Sequence, residues 1–254
     1  MSLLSVAVLA VVQGLTEFLP VSSKTHLLFA QVLLGMEPDL ALTVMLHAGS
    51  LLAIVVYYWK GWRVLLRDRR KEILLLVVGT VPAVVAAVLL KKHLEALYTR
   101  PALGAGLLPV TAAWLWISER LGRERHELLE TPVGKILLVG IAQAFALLPG
   151  ISRSGATIGA GYLVGLRRAD AVRFSFFLGA VAILGALVFK AKDIAGGKAA
   201  FTPLPIVLGV FVTFAVSLAA IKLVETLSLK GRFSWFAIYC AAAGVAGLLY
   251  FSRG

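Results

Sequence analysis

Six apolar runs of 16 to 21 residues recur along the chain, and they limit the available folds more than any other feature. A bilayer is crossed by about 20 residues of helix, and a chain in lipid must satisfy its backbone hydrogen bonds internally. The chain is 60% hydrophobic and 15% charged, with a mean hydropathy of +0.92. We therefore predict an all-α, multi-pass integral membrane protein that forms a single membrane domain over residues 1–254. The six candidate transmembrane helices are Leu40–Trp59, Glu72–Leu90, Ala102–Ser118, Phe174–Phe189, Leu204–Val224 and Phe233–Phe251.

Basic residues give the chain a formal net charge of +12, and they lie in short clusters between the apolar runs. Such clusters mark the cytoplasmic side of membrane proteins and favour anionic lipids, so we expect membrane lipids as partners and no nucleic acid. With the connector Lys60–Lys71 in the cytoplasm, 16 of the 25 Lys and Arg residues lie on that side. The opposite connectors, 91–100 and 190–198, hold 7 together with the C-terminal tail. Met1–Val12 has no basic flank, so we expect it to belong to the mature chain.

A polar interruption runs from Leu148 to Thr157, between apolar runs at 136–148 and 158–166 that are each too short to span a bilayer. Pro149 and Gly150 break a helix there and free backbone amides. An arginine at this depth costs roughly 3 kcal/mol on insertion scales, so Arg153 indicates a functional site. We predict an oxyanion or phosphate cradle; the alternative is an interfacial loop whose arginine reaches water. The predicted substrate-binding residues are Gly150, Ser152, Ser154 and Thr157.

An earlier interruption contains Gln13 and Glu17, which are four residues apart and therefore share one helix face. A carboxylate beside an amide oxygen suits a hard cation, so we predict that these two residues bind Mg²⁺ or Ca²⁺. The alternative is that Glu17 is a buried structural acid paired with Lys24 or Arg153.

Beyond Pro20, the same interruption offers Ser22, Ser23 and His26. A hydroxyl and an imidazole can supply a nucleophile and an acid or base. We predict catalytic roles for Ser23 and His26, which the sequence does not divide between them, and substrate binding for Ser22. The alternatives are a packed histidine and serines that cap the next helix. His47 is a weaker candidate, for which we expect an interhelical hydrogen bond to the broken segment.

The two interruptions resemble each other, since Gln13–Ser23 and Gln143–Ser152 both run from a glutamine through apolar residues to Leu-Pro and then to hydroxyls. Three apolar runs follow each of them, which predicts halves of opposite orientation. We therefore expect an inverted repeat with about six transmembrane helices, two re-entrant helix pairs and a site near the midplane. The halves are predicted at 1–118 and 135–254, with a polar linker at 119–134. The alternative is chance similarity in a leucine-rich chain.

These motifs identify a resemblance that covers nearly the whole chain. Gln-x-x-x-Glu leading into Phe-Leu-Pro-Val-Ser-Ser-x-x-His, with Pro-Gly-x-Ser-Arg-Ser-Gly-Ala-Thr in the second half, resembles the bacterial undecaprenyl-pyrophosphate phosphatases, also called the bacitracin-resistance family. The resemblance implies an enzyme of the bacterial plasma (inner) membrane that converts undecaprenyl diphosphate, a polyprenyl diphosphate lipid, to undecaprenyl phosphate for peptidoglycan synthesis. It also implies a divalent metal and, in many members, a homodimer.

Carried over to this chain, the resemblance makes Gln13 and Glu17 the metal-associated pair. It makes Ser23 and His26 the catalytic hydroxyl and histidine, and Arg153 the phosphate-binding arginine. The charge pattern puts this site on the outer, periplasmic side.

The chain departs from the family pattern at Lys24-Thr25, where small residues are usual. Lys24 adds a cation that either contacts phosphate or reaches water, and Thr25 cannot hold a positive φ as cheaply as glycine. The rival function is a secondary transporter or lipid flippase, because inverted repeats with broken helices are a transporter architecture. Transport alone does not require the pairing of Ser23 with His26.

Overall fold

The computed structural model describes residues 2–195 and 203–252, and these form a bundle of α-helices. The helices are α1 Leu3–Thr16, α2 Ser23–Leu33, α3 Leu40–Tyr57, α4 Trp59–Asp68, α5 Arg70–Leu89, α6 Lys91–Leu97, α7 Pro101–Leu121, α8 Val133–Phe145, α9 Arg153–Leu163, α10 Arg168–Ala195, α11 Pro203–Leu229 and α12 Trp235–Phe251. A 3₁₀ turn at Leu128–Glu130 lies between α7 and α8.

All six predicted apolar runs are helical, as α3, α5, α7, α10, α11 and α12. Four of these are long and apolar enough to cross a membrane on their own: Arg70–Leu89, Pro101–Leu121, Arg168–Phe189 and Leu204–Leu229. A fifth span results if α3 and α4, which are bent by 74° at their junction, count as one. With 17 residues, α12 is shorter. The protein is therefore an all-α, multi-pass integral membrane protein, and six full spans stay a prediction.

Two connectors contain helices that the apolar pattern did not predict. The connector Lys60–Lys71 contains most of α4. This helix is amphipathic, since Leu65 is buried while Arg63, Leu66 and Arg67 are exposed. Residues 91–97 form α6, one turn of which buries Leu94. In the connector 190–198, residues 196–198 lie outside the described residues.

The chain is interrupted at both predicted breaks. The first separates α1 from α2 at residues 17–22, and the second separates α8 from α9 at residues 146–152. Each break contains a proline, Pro20 or Pro149, which cannot continue a helix. The flanking helices have 11 to 14 residues, and the two members of each pair pack against each other. Their re-entry into one face of a membrane stays a prediction.

Each predicted half packs its first helix against the other half, so the halves exchange helix contacts. The first helix, α1, packs on α11 of the second half, while α8 packs on α5 of the first half. Glycines allow the close approach: a Cβ added at Gly14 would lie 2.8 Å from Val216 Cβ, and one at Gly140 would lie 2.8 Å from the Gly79 oxygen. Such an exchange is what a two-fold repeat predicts. The inverted orientation and the half boundaries stay predictions.

The polar linker 119–134 is anchored to the bundle. The Glu119 carboxylate accepts hydrogen bonds from the backbone of Phe233 at 2.8 Å and of Ser234 at 2.6 Å. Leu128 is buried, and its backbone N–H donates to Asp170 at 3.3 Å. The linker therefore ties α7 to the beginnings of α10 and α12.

Candidate functional site

The two breaks of the chain meet at Glu17, directly after α1. Arg153, the first residue of α9, donates from Nη2 to Glu17 Oε1 at 2.6 Å. Both side chains are largely buried, with exposed fractions of 16% for Arg153 and 6% for Glu17. The ion pair between Glu17 and Arg153, which the sequence predicted as an alternative to a metal site, is thus present. Both side chains also line a cavity.

Three further side chains surround the second oxygen of the same carboxylate. Glu17 Oε2 accepts hydrogen bonds from Ser23 Oγ at 2.8 Å and from Gln13 Nε2 at 3.1 Å. His47 Nε2 lies 3.3 Å from it. The helical spacing of four residues places Gln13 beside Glu17. The break lets the chain turn back so that Ser23, at the start of α2, also reaches the carboxylate.

Helix α10 forms the support for Arg153. The guanidinium donates from Nη1 to the Ser175 carbonyl oxygen at 3.2 Å and lies on the surface of the helix at Gly179. A Cβ at Gly179 would overlap the guanidinium. The sequence did not reveal this contact between Gly179 and Arg153, because glycines are frequent in membrane helices.

The beginning of α2 has uncapped backbone amides that could bind an anion. Ser22, the residue before the helix, has φ 69° and ψ 86°, a left-handed conformation that is uncommon for serine and costly to hold. No side chain caps α2, so its first amides are available. By contrast, α9 is capped by Ser152 Oγ, which accepts from Gly155 N at 3.1 Å. Thr25 does not have a positive φ, and among the described residues Ser22 is the non-glycine residue that does.

A cavity of about 330 Å³ opens between these elements. Five of the predicted site residues line it, namely Glu17, Ser22, Ser23, Lys24 and Arg153. His47, Tyr98 and Gln143 also line it. Much of the remaining wall is apolar and comes from α2, α3, α5 and α10, including Leu28, Val44, Ala83 and Ile183. A polar floor with an apolar wall suits a charged headgroup on a hydrocarbon chain.

His26 does not reach the cavity. Its Nδ1 lies 2.9 Å from the Ser22 carbonyl oxygen, and its Nε2 lies 2.8 Å from the Tyr239 hydroxyl on α12. The two rings are stacked with centroids 5.6 Å apart. The predicted pairing of Ser23 with His26 is therefore absent from this geometry, since Tyr239 holds the imidazole elsewhere. The histidine beside Glu17 is His47, which forms the expected interhelical contact.

The remaining predicted residues of the second break also lie outside the cavity. Ser152 Oγ caps α9, Ser154 Oγ donates to the Leu19 carbonyl at 3.2 Å, and Thr157 Oγ1 lies 2.6 Å from Ser175 Oγ. Gly150, with φ 87°, donates its N–H to Thr25 Oγ1 at 2.7 Å. These groups bind the turn to its neighbours rather than lining the cavity, and sequence could not distinguish the two uses of a hydroxyl.

The residues around Glu17 fit a hard divalent cation. Gln13 Oε1 is buried and has no hydrogen-bond partner, while Nε2 of the same amide donates to Glu17 Oε2. Within residues 2–195 and 203–252, no group of three or more His, Cys, Asp or Glu side chains could hold a metal. Such a donor set, with one carboxylate and one amide oxygen, suits Mg²⁺ best, because Mg²⁺ keeps waters and shares substrate phosphates.

Comparison with known proteins gives a consistent result. Residues 6–246 match the family model described as bacitracin resistance protein BacA. An undecaprenyl-diphosphatase of Rhodopirellula baltica is 42% identical over 251 residues, which cover 97% of each chain. The undecaprenyl-diphosphatase of Halothermothrix orenii is 36% identical over 96% of each chain. That of Desulfosudis oleivorans is 39% identical over 93% of this chain and 94% of the relative.

Proposed function

The chain belongs to the bacitracin resistance protein BacA family, and from this premise we propose that the cavity at Glu17 is its active site. The protein is an enzyme that hydrolyses undecaprenyl diphosphate to undecaprenyl phosphate and inorganic phosphate, which recycles the lipid carrier. The observation that supports this site most strongly is the 2.8 Å hydrogen bond from Ser23 Oγ to Glu17 Oε2, because it joins a nucleophile to a group that can accept its proton.

The substrate lies with its diphosphate between the two breaks of the chain. The terminal phosphoryl group meets Ser23, Arg153 and the free amides at the start of α2, which all favour an anion. The isoprenoid tail follows the apolar wall formed by residues such as Leu28 and Ile183 and leaves between helices into lipid. This arrangement keeps charge in the polar part of the cavity and hydrocarbon in the membrane.

Hydrolysis proceeds in two displacements. Ser23 Oγ attacks the terminal phosphorus while its proton passes to Glu17 Oε2. The bond between that phosphorus and the bridging oxygen breaks, and undecaprenyl phosphate leaves. Water then attacks the phosphoserine, so that inorganic phosphate departs and Ser23 regains its proton. One water is consumed, and His47, 3.3 Å from Glu17 Oε2, is placed to take part in the proton transfers.

Arg153 supplies the electrostatic part of catalysis. Charge grows on the oxygens of the transferred group, and a guanidinium already held by Glu17 and the Ser175 carbonyl does not need to reorganise. Gln13 and Glu17 would hold the Mg²⁺ or Ca²⁺ ion, which when bound neutralises the diphosphate.

The active site faces the outer side of the bacterial inner membrane. Pro38, Thr43 and His47 line the cavity near the beginning of α3, whereas the basic helix α4 follows the end of α3. The cavity and the basic cluster therefore lie at opposite ends of α3, and basic clusters favour the cytoplasm. A homodimer remains an expectation from the family resemblance.

Phosphate release by the purified protein in detergent tests the proposal. The native protein is expected to release one phosphate per undecaprenyl diphosphate without a second compartment, whereas a transporter or flippase would release none. The Ser23→Ala variant should lose this activity, and Ser234→Ala, which removes a hydroxyl that does not line the cavity, should retain it. Full activity of Ser23→Ala would remove Ser23 from the mechanism.

A further inference from the structure

The cavity contains two cations whose surroundings differ. Arg153 is paired with the Glu17 carboxylate at 2.6 Å. Lys24 Nζ donates to the Tyr98 hydroxyl at 3.1 Å, and in the described part of the chain no Asp or Glu oxygen lies within 4.0 Å of it. The described residues therefore provide no carboxylate that neutralises Lys24, and this lysine faces the same cavity.

Tyr98 fixes the position of this ammonium group. Its hydroxyl donates its hydrogen to the Leu147 carbonyl oxygen at 2.8 Å and therefore accepts from Lys24. The ammonium also lies 4.9 Å from the centre of the Tyr98 ring, a cation–π distance. A lysine that merely reached water would not need these contacts. Lys24 is instead held against the turn that follows α8.

The two cations are held against different walls. The Arg153 side chain packs against α10, where it contacts Ser175 and Gly179. Lys24 instead donates to Tyr98, whose hydroxyl donates to the Leu147 carbonyl oxygen. Ser23 is joined to the Glu17 carboxylate that holds Arg153, so the phosphoryl group under attack belongs on that side. A diphosphate has a second phosphoryl group, and Lys24 is the other Lys or Arg side chain that lines the cavity among the described residues.

We propose that Lys24, positioned by Tyr98, binds the phosphoryl group that stays on the lipid and thereby strengthens the preference of this site for diphosphates over monophosphates. This inference rests on the proposed function. When the bond to the terminal phosphorus breaks, its electron pair remains on the bridging oxygen of the lipid phosphate, beside Lys24. The ammonium therefore binds the substrate and also stabilises the leaving group.

Inhibition by inorganic pyrophosphate and by inorganic phosphate separates the two subsites. Both are added to the full-length protein in detergent at constant Mg²⁺, with undecaprenyl diphosphate as substrate. In Lys24→Gln we expect inhibition by pyrophosphate to weaken at least 10-fold, which is the usual scale for a lost charge-assisted contact. Inhibition by phosphate should change by less than about 3-fold, because phosphate occupies the Arg153 side. The kcat should fall with the pyrophosphate affinity.

Three variants complete the experiment. Lys24→Arg retains the charge and should keep most of the preference for pyrophosphate, while Tyr98→Phe should show an intermediate loss. Lys91→Gln is the control, because this exposed lysine lies over the Phe189 ring at 4.6 Å and not in the cavity. If Lys24→Gln does not fold, the ratio of the two inhibition constants in Tyr98→Phe decides.

The inference is overturned if native protein is active and the ratio of the two inhibition constants is unchanged by these substitutions, or if both inhibitors weaken equally. Absence of phosphate release from the native protein would instead overturn the proposed function itself.

Discussion

Arg153 donates to Glu17 across 136 positions of the chain, from Nη2 to Oε1 at 2.6 Å. This contact joins the second break to the first, and the other guanidinium nitrogen, Nη1, is held by the Ser175 carbonyl. The arginine is therefore oriented before a substrate arrives. Its value to the enzyme should lie in this geometry as much as in its charge.

Replacing Arg153 with lysine tests that idea. Lysine keeps the positive charge but offers a point donor on a flexible stem, so substrate affinity should be largely retained. The kcat should fall by a factor on the order of 100, if the effect of losing an oriented oxyanion donor transfers. Steady-state kinetics on Arg153→Lys, with Arg100→Lys at an exposed position as control, measure the difference. A near-native kcat would mean that Arg153 supplies only bulk charge.

Gly179→Ala should reduce activity without unfolding the protein. The added methyl group would meet the Arg153 guanidinium, and the end of a flexible side chain can move aside at little cost in stability. Displaced from Glu17, the guanidinium would be misplaced for catalysis, which can cost on the order of 100-fold in rate. Gly185→Ala on the same helix is the control, because nothing lies within 4 Å of its added Cβ. Equal activity of the two variants would show that the position of the guanidinium is unimportant.

Trapping of a phosphoenzyme should identify Ser23 as the nucleophile. Rapid acid quenching after mixing with substrate labelled in the terminal phosphate should leave label on native protein and on His26→Gln, but not on Ser23→Ala. Ser23 touches Glu17 within the cavity, whereas Tyr239 holds His26 away from it. Label that survives in Ser23→Ala and is lost in His26→Gln would reverse the assignment.

Residues that act within one break were accessible to sequence reasoning. Helical spacing brings Gln13 to Glu17, and an arginine between short apolar runs indicates a functional site, so Glu17 and Arg153 could be singled out. Their direct contact was foreseen only as one alternative. The apolar runs likewise predicted which segments are helical.

Residues that depend on contacts between distant elements were not accessible in the same way. Gly179, Tyr98 and Gln143 reach the site or its support only through the packing of α10, α6 and α8. The orientation of His26 is decided by Tyr239, more than 200 positions later in the chain. The local sequence pattern contains no information on such partners. A serine such as Ser154 also looks the same in the sequence whether its buried hydroxyl binds backbone or ligand.

The orientation in the membrane can be measured with two cysteines. In a Cys240→Ala background, Glu37→Cys lies in the exposed loop before α3, next to Pro38 of the cavity wall. Asp68→Cys lies on the exposed end of α4, at the other end of α3. A membrane-impermeant thiol reagent should label Glu37→Cys in intact cells and Asp68→Cys only after permeabilisation. The opposite pattern would place the active site on the cytoplasmic side.

The metal at Gln13 and Glu17 can be tested by changing ligand charge. Gln13 Nε2 donates to Glu17 at 3.1 Å, while Gln13 Oε1 is buried without a partner. Gln13→Glu removes the donor and brings two buried carboxylates together, so in EDTA the variant should unfold at a lower temperature than native protein. Two carboxylates bind a divalent cation more tightly than one, so Mg²⁺ should raise its unfolding temperature more than that of native protein. The control is Ser118→Asp, which also buries a carboxylate but on α7, at a residue that does not line the cavity. Mg²⁺ should leave Ser118→Asp unrescued. Equal stabilisation of the two variants by Mg²⁺ would mean that the cation binds elsewhere, and that the unpartnered oxygen of Gln13 is not a metal ligand.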